Sequence, residues 1–206
     1  MKYHFVTRSN PSVSQPLIVG NNGQLGSSNF NANRRTIVLV HGWRGSPNSQ
    51  SNTLLVPAFL AAEDVNVIVV DWSTGAGTIN YATAVTNTFT SGVSVAQFIN
   101  WLNSASGASP ARYHLVGFSL GAHQVGIIGR HVQGAVAYIT GLDAAGPGWN
   151  NNDHRFREND GAYTELIHTN AGVTGFLSPL AHVSFYPNGG VNMPGCAFVS
   201  DCSHAR

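Results

Sequence analysis

The chain has 206 residues, of which 43% are hydrophobic and 9% are charged, and its formal net charge is +1. This length suits a single domain with a sizeable core, and the near-zero charge gives no electrostatic reason to expect nucleic-acid binding or attraction to an anionic membrane surface. The chain lacks an apolar run long enough to span a bilayer, and residues 1–11 lack the apolar core and the cleavage site of a signal peptide.

Short runs of β-branched and other apolar residues recur along the chain. Four of them are almost continuously apolar, which is typical of parallel strands that are buried on both faces. They lie at residues 36–40, 65–70, 113–117 and 137–142. Two later runs, at residues 162–169 and 182–187, also predict strands.

Longer segments separate these runs and predict helices. Between the second and third strands, residues 79–106 carry apolar side chains at helical spacing, although Gly92 and the many threonines argue against one unbroken helix. A second helix is predicted at residues 121–132, with Gly134 placed to end it. Strands and helices that alternate in this order predict an α/β fold with a central, mostly parallel sheet.

The segment from Gly117 to Gly121 reads Gly-Phe-Ser-Leu-Gly and lies between a predicted strand and a predicted helix. In that context a Gly-x-Ser-x-Gly sequence forms a nucleophile elbow, in which small residues let the helix cross the strand closely. The helix N-terminus also favours the negative charge that develops during acyl transfer. Ser119 is therefore a candidate nucleophile, and the alternative is a turn residue with no chemical role.

A serine nucleophile needs a base and a carboxylate that orients the base, and in α/β-hydrolases the chain order is Ser, then Asp or Glu, then His. Asp143 ends a predicted strand after Ser119, and the interval has room for one helix and one strand. Its carboxylate is therefore expected at the same sheet edge, with a helix-capping role as the alternative. Asp71 is the rival, but it precedes the serine and is expected to be structural.

Four histidines follow Asp143, and His154 has no supporting sequence context, which leaves three candidates for the base: His168, His182 and His204. Chain order alone does not choose among them. His204 is favoured because it is predicted to lie in a loop beyond the last strand, where a mobile proton shuttle would be placed. His41 is instead expected to shape the loop after the first buried strand.

An oxyanion hole needs backbone N–H groups aimed at the developing negative charge. The first is expected from Leu120, the residue after the nucleophile. The second is expected from an early strand-to-helix loop, and the N–H of Trp43 in the sequence Val-His-Gly-Trp-Arg-Gly is the candidate.

Cys196 and Cys202 are the two cysteines of the chain, with five residues between them. Both lie in a polar stretch bounded by glycine and proline, so a short disulfide-closed loop is expected rather than a pair of unrelated buried thiols. A disulfide favours an oxidising compartment, which makes a secreted, extracellular protein the expectation although the N-terminus does not support it.

Eight short motifs follow one another along the chain: LVHGW, VIVVDWS, HLVGFSLGAH, GLDAAGP, ELIHTN, FYPNGG, MPGC and CSH. Their content and order resemble the pancreatic lipase family over nearly the whole chain. The resemblance implies an α/β-hydrolase fold, the triad Ser119, Asp143 and His204, and oxyanion donors at Trp43 and Leu120. It also implies hydrolysis of lipid esters at a membrane or micelle surface, with no metal or organic cofactor.

Two loops around the implied site are shorter than in the triacylglycerol lipases of the family. The segment between Cys196 and Cys202 aligns with the family's lid and has only five residues, and the loop at residues 170–180 is also short. Such loops resemble the phospholipase A1 and insect lipase branches and imply little interfacial activation. Phe198 and Val199 are expected to form a small apolar tip that touches lipid, with a locally packed loop as the alternative.

Two further departures from the family concern charge. Arg157 falls on a position that is acidic in the family members that hold structural calcium, so no metal is expected, and residues 152–160 are expected to form a solvated loop. Ser184 stands where the family has aspartate, and the loss of that carboxylate is expected to cost local stability.

Residues 1–206 are expected to form a single lipase-type catalytic domain. The chain ends two residues after His204, whereas family members continue and many add a β-sandwich domain, so the C-terminal part of the family domain is expected to be missing. The alternative to a lipase or phospholipase is a weak or inactive lipid-binding protein of the yolk-storage type with the same fold. Retention of all three triad residues favours the enzyme.

Overall fold

One twisted sheet organises residues 1–197 and 199–206, the part of the chain that the computed structural model describes. Within these residues the sheet has eight strands: β1 (Lys2–Val6), β2 (Gln15–Pro16), β3 (Thr36–Val40), β4 (Asn66–Asp71), β5 (Tyr113–Phe118), β6 (Tyr138–Leu142), β7 (Tyr163–Ile167) and β8 (Val183–Phe185). Their order across the sheet is β2-β1-β4-β3-β5-β6-β7-β8. Strand β1 is antiparallel to both neighbours and the other pairs are parallel, which confirms the predicted α/β fold.

Helices cover both faces of the sheet. Over the same described ranges they are α1 (Asn22–Ser27), α2 (Gln50–Ala62), α3 (Ser73–Ala76), α4 (Tyr81–Ser106), α5 (Leu120–His131) and α6 (Ser200–His204). Helices α4 and α5 pack against each other and enclose the larger core, whereas α2 covers a smaller apolar cluster on β3 and β4. In the described part of the chain, no helix combines the length and the apolar character needed to cross a membrane.

The predicted strands correspond to β3 through β8, with ends that differ by a few residues. Strands β1 and β2 and helices α1 and α2 were not predicted from the sequence. Strand β1 alternates between buried Tyr3 and Phe5 and less buried neighbours, which is a weak signal in only five residues. Helix α2 contains Pro57, a residue that usually argues against a helix interior.

Helix α4 is unbroken and continues for 26 residues through Gly92, although Gly92 and the threonines had weakened the sequence argument for a single helix. A Cβ on Gly92 would come within 2.7 Å of the Cγ2 atom of Ile127, so glycine here permits close packing against α5. The hydroxyl groups of Thr86 and Thr88 donate to carbonyl groups one turn earlier instead of competing with the helix. Packing between helices therefore outweighs the low intrinsic propensity of these residues.

Two glycines allow α5 to cross the sheet at very short range. A Cβ on Gly117 would lie 2.0 Å from the carbonyl oxygen of Gly121, and a Cβ on Gly121 would lie 2.3 Å from the carbonyl oxygen of Val40. Both neighbours are backbone atoms, which cannot rotate out of the way. The sequence argument for small residues on either side of Ser119 thus has a steric basis in the folded chain.

The segment at residues 152–160 is not simply a solvated loop, which corrects that expectation. The side chain of Asp160 is fully buried and accepts hydrogen bonds from the Arg130 guanidinium and the Arg157 backbone N–H, both at 2.8 Å. Burial raises the pKa of Asp160 to about 6, although the neighbouring Arg130 acts in the opposite direction. The ion pair between buried Asp160 and partly buried Arg130 ties this segment to α5.

We expect Gly121→Ala to lower the free energy of unfolding by about 1–3 kcal/mol, because the new methyl group must push α5 away from β3. Urea unfolding followed by circular dichroism measures the change. Gly26→Ala is the matched control, since Gly26 lies in α1 and a Cβ there has nothing within 4 Å. Equal unfolding midpoints for the two variants would contradict the steric role of Gly121.

We expect Arg130→Met to destabilise the fold by about 3–5 kcal/mol at pH 8, because it leaves the buried Asp160 carboxylate without its cation. The pKa of Asp160 is raised in the folded state, so folding takes up a proton and the contribution of this group to stability falls as pH rises through about 4 to 6. The variant should therefore lose less stability at pH 5, where Asp160 is readily neutralised by protonation.

Arg35→Met is the control for that experiment, since Arg35 pairs with Glu63 and both side chains are more than two-fifths exposed. Its cost should stay within about 1 kcal/mol at both pH values. A pH-independent loss in Arg130→Met, measured by urea unfolding, would show that Asp160 is not the group responsible.

Candidate active site

Ser119 lies at the apex of the turn between β5 and α5. Its φ of 57° and ψ of −117° are strained for a residue with a Cβ. Hydrogen bonds on both sides hold this conformation: the Ser119 N–H donates to the Leu142 carbonyl (3.0 Å), and its carbonyl accepts from the Ala145 N–H (3.2 Å). This is the backbone geometry of a nucleophile elbow.

Asp143 follows β6, the strand beside β5, and lies at the same edge of the sheet as Ser119. Its side chain is buried, and Oδ1 accepts hydrogen bonds from the backbone N–H groups of Thr169 (2.8 Å) and Asn170 (3.0 Å). No helix begins at this residue, so the helix-capping alternative is wrong. The carboxylate is thus oriented by the backbone that follows β7, with Oδ2 left for another partner.

That partner is His204, whose Nδ1 lies 2.5 Å from Asp143 Oδ2. A carboxylate oxygen accepts, so Nδ1 carries the proton and Nε2 is the nitrogen that faces away from Asp143. His204 belongs to helix α6 rather than to a loop, which corrects the sequence prediction. The helix is held by Ser200 Oγ, which donates to Asn170 Oδ1 (2.7 Å), and by Ser203 Oγ, which accepts from the Met193 N–H (3.1 Å).

The other downstream histidines are engaged elsewhere. The Nδ1 atom of His168 lies 3.0 Å from the Phe176 carbonyl oxygen and its Nε2 lies 3.3 Å from Ser184 Oγ, while burial lowers its pKa. His182 Nδ1 lies 2.8 Å from Thr164 Oγ1. Within the described residues, these contacts leave His204 as the histidine that meets Asp143.

Asp71, the rival carboxylate, has a local role. It accepts hydrogen bonds from both the N–H (3.0 Å) and the hydroxyl group (2.6 Å) of Ser73, where the chain turns from β4 into α3. These hydrogen bonds lower its pKa even though burial acts in the opposite direction. The structure therefore agrees with a structural role for Asp71.

The structure does not join Ser119 to His204 by a hydrogen bond among the described side chains. Instead, the imidazole packs against the ring of Phe118, the residue before Ser119, with 4.7 Å between ring centroids. Asp143 and His204 are thus in contact, and His204 approaches the serine turn through its packing on Phe118. In unliganded enzymes the contact between nucleophile and base is often long and tightens only when substrate binds.

The loop after β3 approaches the turn at Ser119. A Cβ on Gly42 would lie 2.9 Å from the Ser119 Cβ, so glycine lets the backbone before Trp43 reach this point. The next residue, Arg44, has a positive φ of 54° and its N–H donates to the Ala76 carbonyl (2.9 Å). The Leu120 N–H is the first of helix α5 and has no intrahelical acceptor.

His41 lies behind this loop. Its Nδ1 is 3.0 Å from the Gly42 carbonyl oxygen, its own carbonyl accepts from the Trp72 indole N–H (2.8 Å), and burial lowers its pKa. A buried imidazole that is kept neutral suits a role in shaping the loop rather than in proton transfer, as the sequence suggested.

Cys196 and Cys202 form a disulfide, with 5.4 Å between their Cα atoms. The bond closes a loop that ends inside helix α6, two residues before His204. The proposed apolar tip is described only at Val199, which is 55% exposed, because Phe198 lies outside the described residues.

A cavity of about 430 Å³ opens beside these groups. Its wall includes Asp143 and His204 together with Trp43 and Gly42, but Ser119 is not part of the lining. Apolar side chains from α2 and from the ends of β5, β6 and β7 form much of the rest: Leu54, Leu55, Phe118, Leu142 and Ile167. The volume lies in the range of small-molecule sites in proteins.

Sequence reasoning missed Thr169 and Asn170, which contact the carboxylate directly. Both follow β7, and β7 is the parallel neighbour of β6. Residues that follow neighbouring parallel strands meet at the same sheet edge, so their position in the motif ELIHTN was the signal available in the sequence.

Comparison with known proteins places the chain among lipases. The family model named Lipase matches residues 1–205. Lipase member H of Xenopus tropicalis is 39% identical over 194 residues, which cover 92% of this chain and 41% of that protein. Human pancreatic triacylglycerol lipase is 35% identical over 205 residues, which cover 95% of this chain and 43% of that protein.

A solved structure shows the same fold at lower sequence similarity. The ferulic acid esterase of Anaeromyces mucronatus superposes with a TM-score of 0.51 at 15% identity, covering 84% of this chain and 74% of that one. This likeness concerns the α/β-hydrolase fold alone. The chain spans about two-fifths of the length of the curated relatives cited above, and over that span it belongs to the lipase family.

Proposed function

We propose that this protein is a carboxylic ester hydrolase that acts on lipids, with Ser119 as nucleophile, His204 as general base and acid, and Asp143 as the carboxylate that orients His204. The observation that carries the proposal is the 2.5 Å contact between His204 Nδ1 and Asp143 Oδ2 beside a strained serine turn. Membership of the lipase family supports the same reaction class.

The proposed reaction begins when Ser119 Oγ attacks the ester carbonyl carbon and His204 Nε2 takes the hydroxyl proton. The tetrahedral intermediate then expels the alcohol, which receives that proton from His204, and leaves an acyl group on Ser119. Water repeats the sequence and releases the fatty acid. Asp143 keeps the proton on Nδ1 and stabilises the imidazolium that forms at each step.

The N–H groups of Leu120 and Trp43 are the proposed donors to the oxyanion. Leu120 contributes the first N–H of helix α5, and Gly42 allows the loop that bears Trp43 to approach Ser119. Each such donor typically contributes about 2.7–4 kcal/mol of transition-state stabilisation. No metal ion or organic cofactor takes part in this scheme.

The proposed substrates are phospholipid or acylglycerol esters drawn from a membrane or micelle surface. The apolar wall formed by Leu54, Leu55 and Ile167 suits an acyl chain. The disulfide loop has only five residues between its cysteines, which is too short to cover a wide apolar site. We therefore favour a phospholipase A1-like preference, with triacylglycerol lipase as the alternative and extracellular localisation as the setting.

We expect Ser119→Ala to lower kcat for release of fatty acid by on the order of 10⁶-fold, and Asp143→Asn by about 10⁴-fold. Release from phosphatidylcholine vesicles and from a triglyceride emulsion measures both activity and preference. Ser73→Ala and Asp71→Asn are the matched controls, because this hydrogen-bonded serine and aspartate also lie where a strand of the sheet ends and should leave turnover within about twofold.

Failure of this proposal has a clear signature. If folded protein releases fatty acid from neither substrate and a fluorophosphonate probe does not label Ser119, the lipid-binding alternative replaces the enzyme. Preferential release from triglyceride would retain the triad and replace only the phospholipase A1-like preference.

We expect the double variant Cys196→Ala, Cys202→Ala to have lower turnover and a lower Tm, because the disulfide restrains the helix that carries His204. Hydrolysis of a soluble short-chain ester measures the turnover. Dithiothreitol should reproduce the effect in the parent protein, since the chain has no other cysteine. Unchanged turnover in the folded variant would show that noncovalent contacts suffice to hold α6.

A further inference from the structure

The dipeptide Thr169-Asn170 contacts both partners of the Asp143–His204 pair. Its two backbone N–H groups donate to Asp143 Oδ1, at 2.8 and 3.0 Å, and so leave Oδ2 to face the imidazole. The Thr169 hydroxyl donates to the His204 carbonyl oxygen at 3.3 Å. The same short segment thus touches the carboxylate through its backbone and the histidine through a side chain.

Asn170 makes the second connection to the histidine helix. Its Oδ1 accepts a hydrogen bond from Ser200 Oγ at 2.7 Å, and Ser200 is the first residue of α6. The Thr174 hydroxyl lies 2.7 Å from the same Ser200 oxygen, which closes a small polar network. One end of α6 is therefore held by Asn170 and the other end, at His204, by Thr169.

The Asn170 side chain is buried and each of its polar atoms is paired. Its Oδ1 also accepts from the Thr174 N–H at 3.0 Å, and its Nδ2 donates to the Val191 carbonyl at 2.9 Å. A carboxamide is the side chain that supplies an acceptor on one side and a donor on the other. Aspartate in its place would set a carboxylate against the Val191 carbonyl. It would also add a second buried carboxylate at a residue whose own N–H is hydrogen-bonded to Asp143.

We propose that Asn170 is a positioning residue which, through Ser200, sets the distance between Asp143 and His204. This rests on the proposed function, because that function gives the Asp143–His204 contact its chemical purpose. Asn170 itself does not touch the substrate. It positions the pair because its N–H holds the Asp143 carboxylate and its side chain holds the helix that carries His204.

Removal of the Ser200 hydroxyl is the more direct test, because this hydroxyl is hydrogen-bonded to Asn170 and Thr174 and Ser200 is not part of the cavity lining. We expect Ser200→Ala and Asn170→Ala each to lower kcat on a soluble short-chain ester by about 3- to 10-fold with little change in KM. The double variant should be no slower than the slower of the two single variants, because both substitutions remove the same hydrogen bond between Ser200 and Asn170. Ser200→Thr, which keeps the hydroxyl, should restore kcat.

A spectroscopic measurement separates positioning from general destabilisation. The His204 Nδ1 proton shared with Asp143 should give a downfield proton resonance that Asp143→Asn abolishes, and Ser200→Ala should weaken or move it. Ser94→Ala, which removes a serine hydroxyl that donates to a carbonyl group within α4, is the control and should leave both resonance and kcat unchanged.

Two outcomes would overturn the proposal. The first is a folded Ser200→Ala protein with unchanged kcat and an unchanged resonance. The second is a double variant whose loss is the product of the single losses. If the parent protein has no Ser119-dependent turnover, the proposed function fails, and the resonance alone then decides whether Asn170 and Ser200 hold His204 against Asp143.

Discussion

The close crossing of α5 over β3 and β5 is the constraint on which the candidate site depends. Glycines at 117 and 121 bring the backbone of the first helical turn against the backbone of β5 and β3, where no Cβ fits. This contact forces Ser119 into its strained conformation at the apex. It also brings the free N–H groups of the helix N-terminus to the edge of the sheet, together with the loop at Gly42. A chain without this contact would have a serine, but no strained turn to hold it at the sheet edge.

The burial of the Asp143 carboxylate imposes a second requirement, because a buried charge must be hydrogen-bonded. Oδ1 is satisfied by backbone that follows β7, and Oδ2 by the imidazole of His204. The imidazole comes from a short helix that is tied to the same backbone through Asn170 and Ser200 and to the preceding segment by a disulfide. The polar contacts of one residue therefore determine the arrangement of several segments that are distant in the sequence.

Apolar and polar surfaces meet at the cavity. Leucine and isoleucine side chains from α2, β6 and β7 line one part, and Asp143, His204 and the loop at Trp43 line another. An ester with a long acyl chain has the same division, with an apolar tail attached to a polar reacting group. This correspondence links the reaction class to the proposed lipid substrates.

The sequence by itself determined the elements that local patterns specify: the buried parallel strands, the helix after the Gly-x-Ser-x-Gly turn and the position of Asp143 at the end of β6. Chain order did not determine which of three histidines meets Asp143, although the family resemblance implied His204. His204 is 61 residues away, and its approach depends on contacts among α6, Asn170 and the disulfide. Tertiary structure also decided that α4 is continuous through Gly92, where packing on α5 outweighs propensity, and that Asp160 is buried with Arg130. Local propensity and periodicity are properties of a short stretch of chain, whereas burial and side-chain contacts arise only when distant stretches pack together.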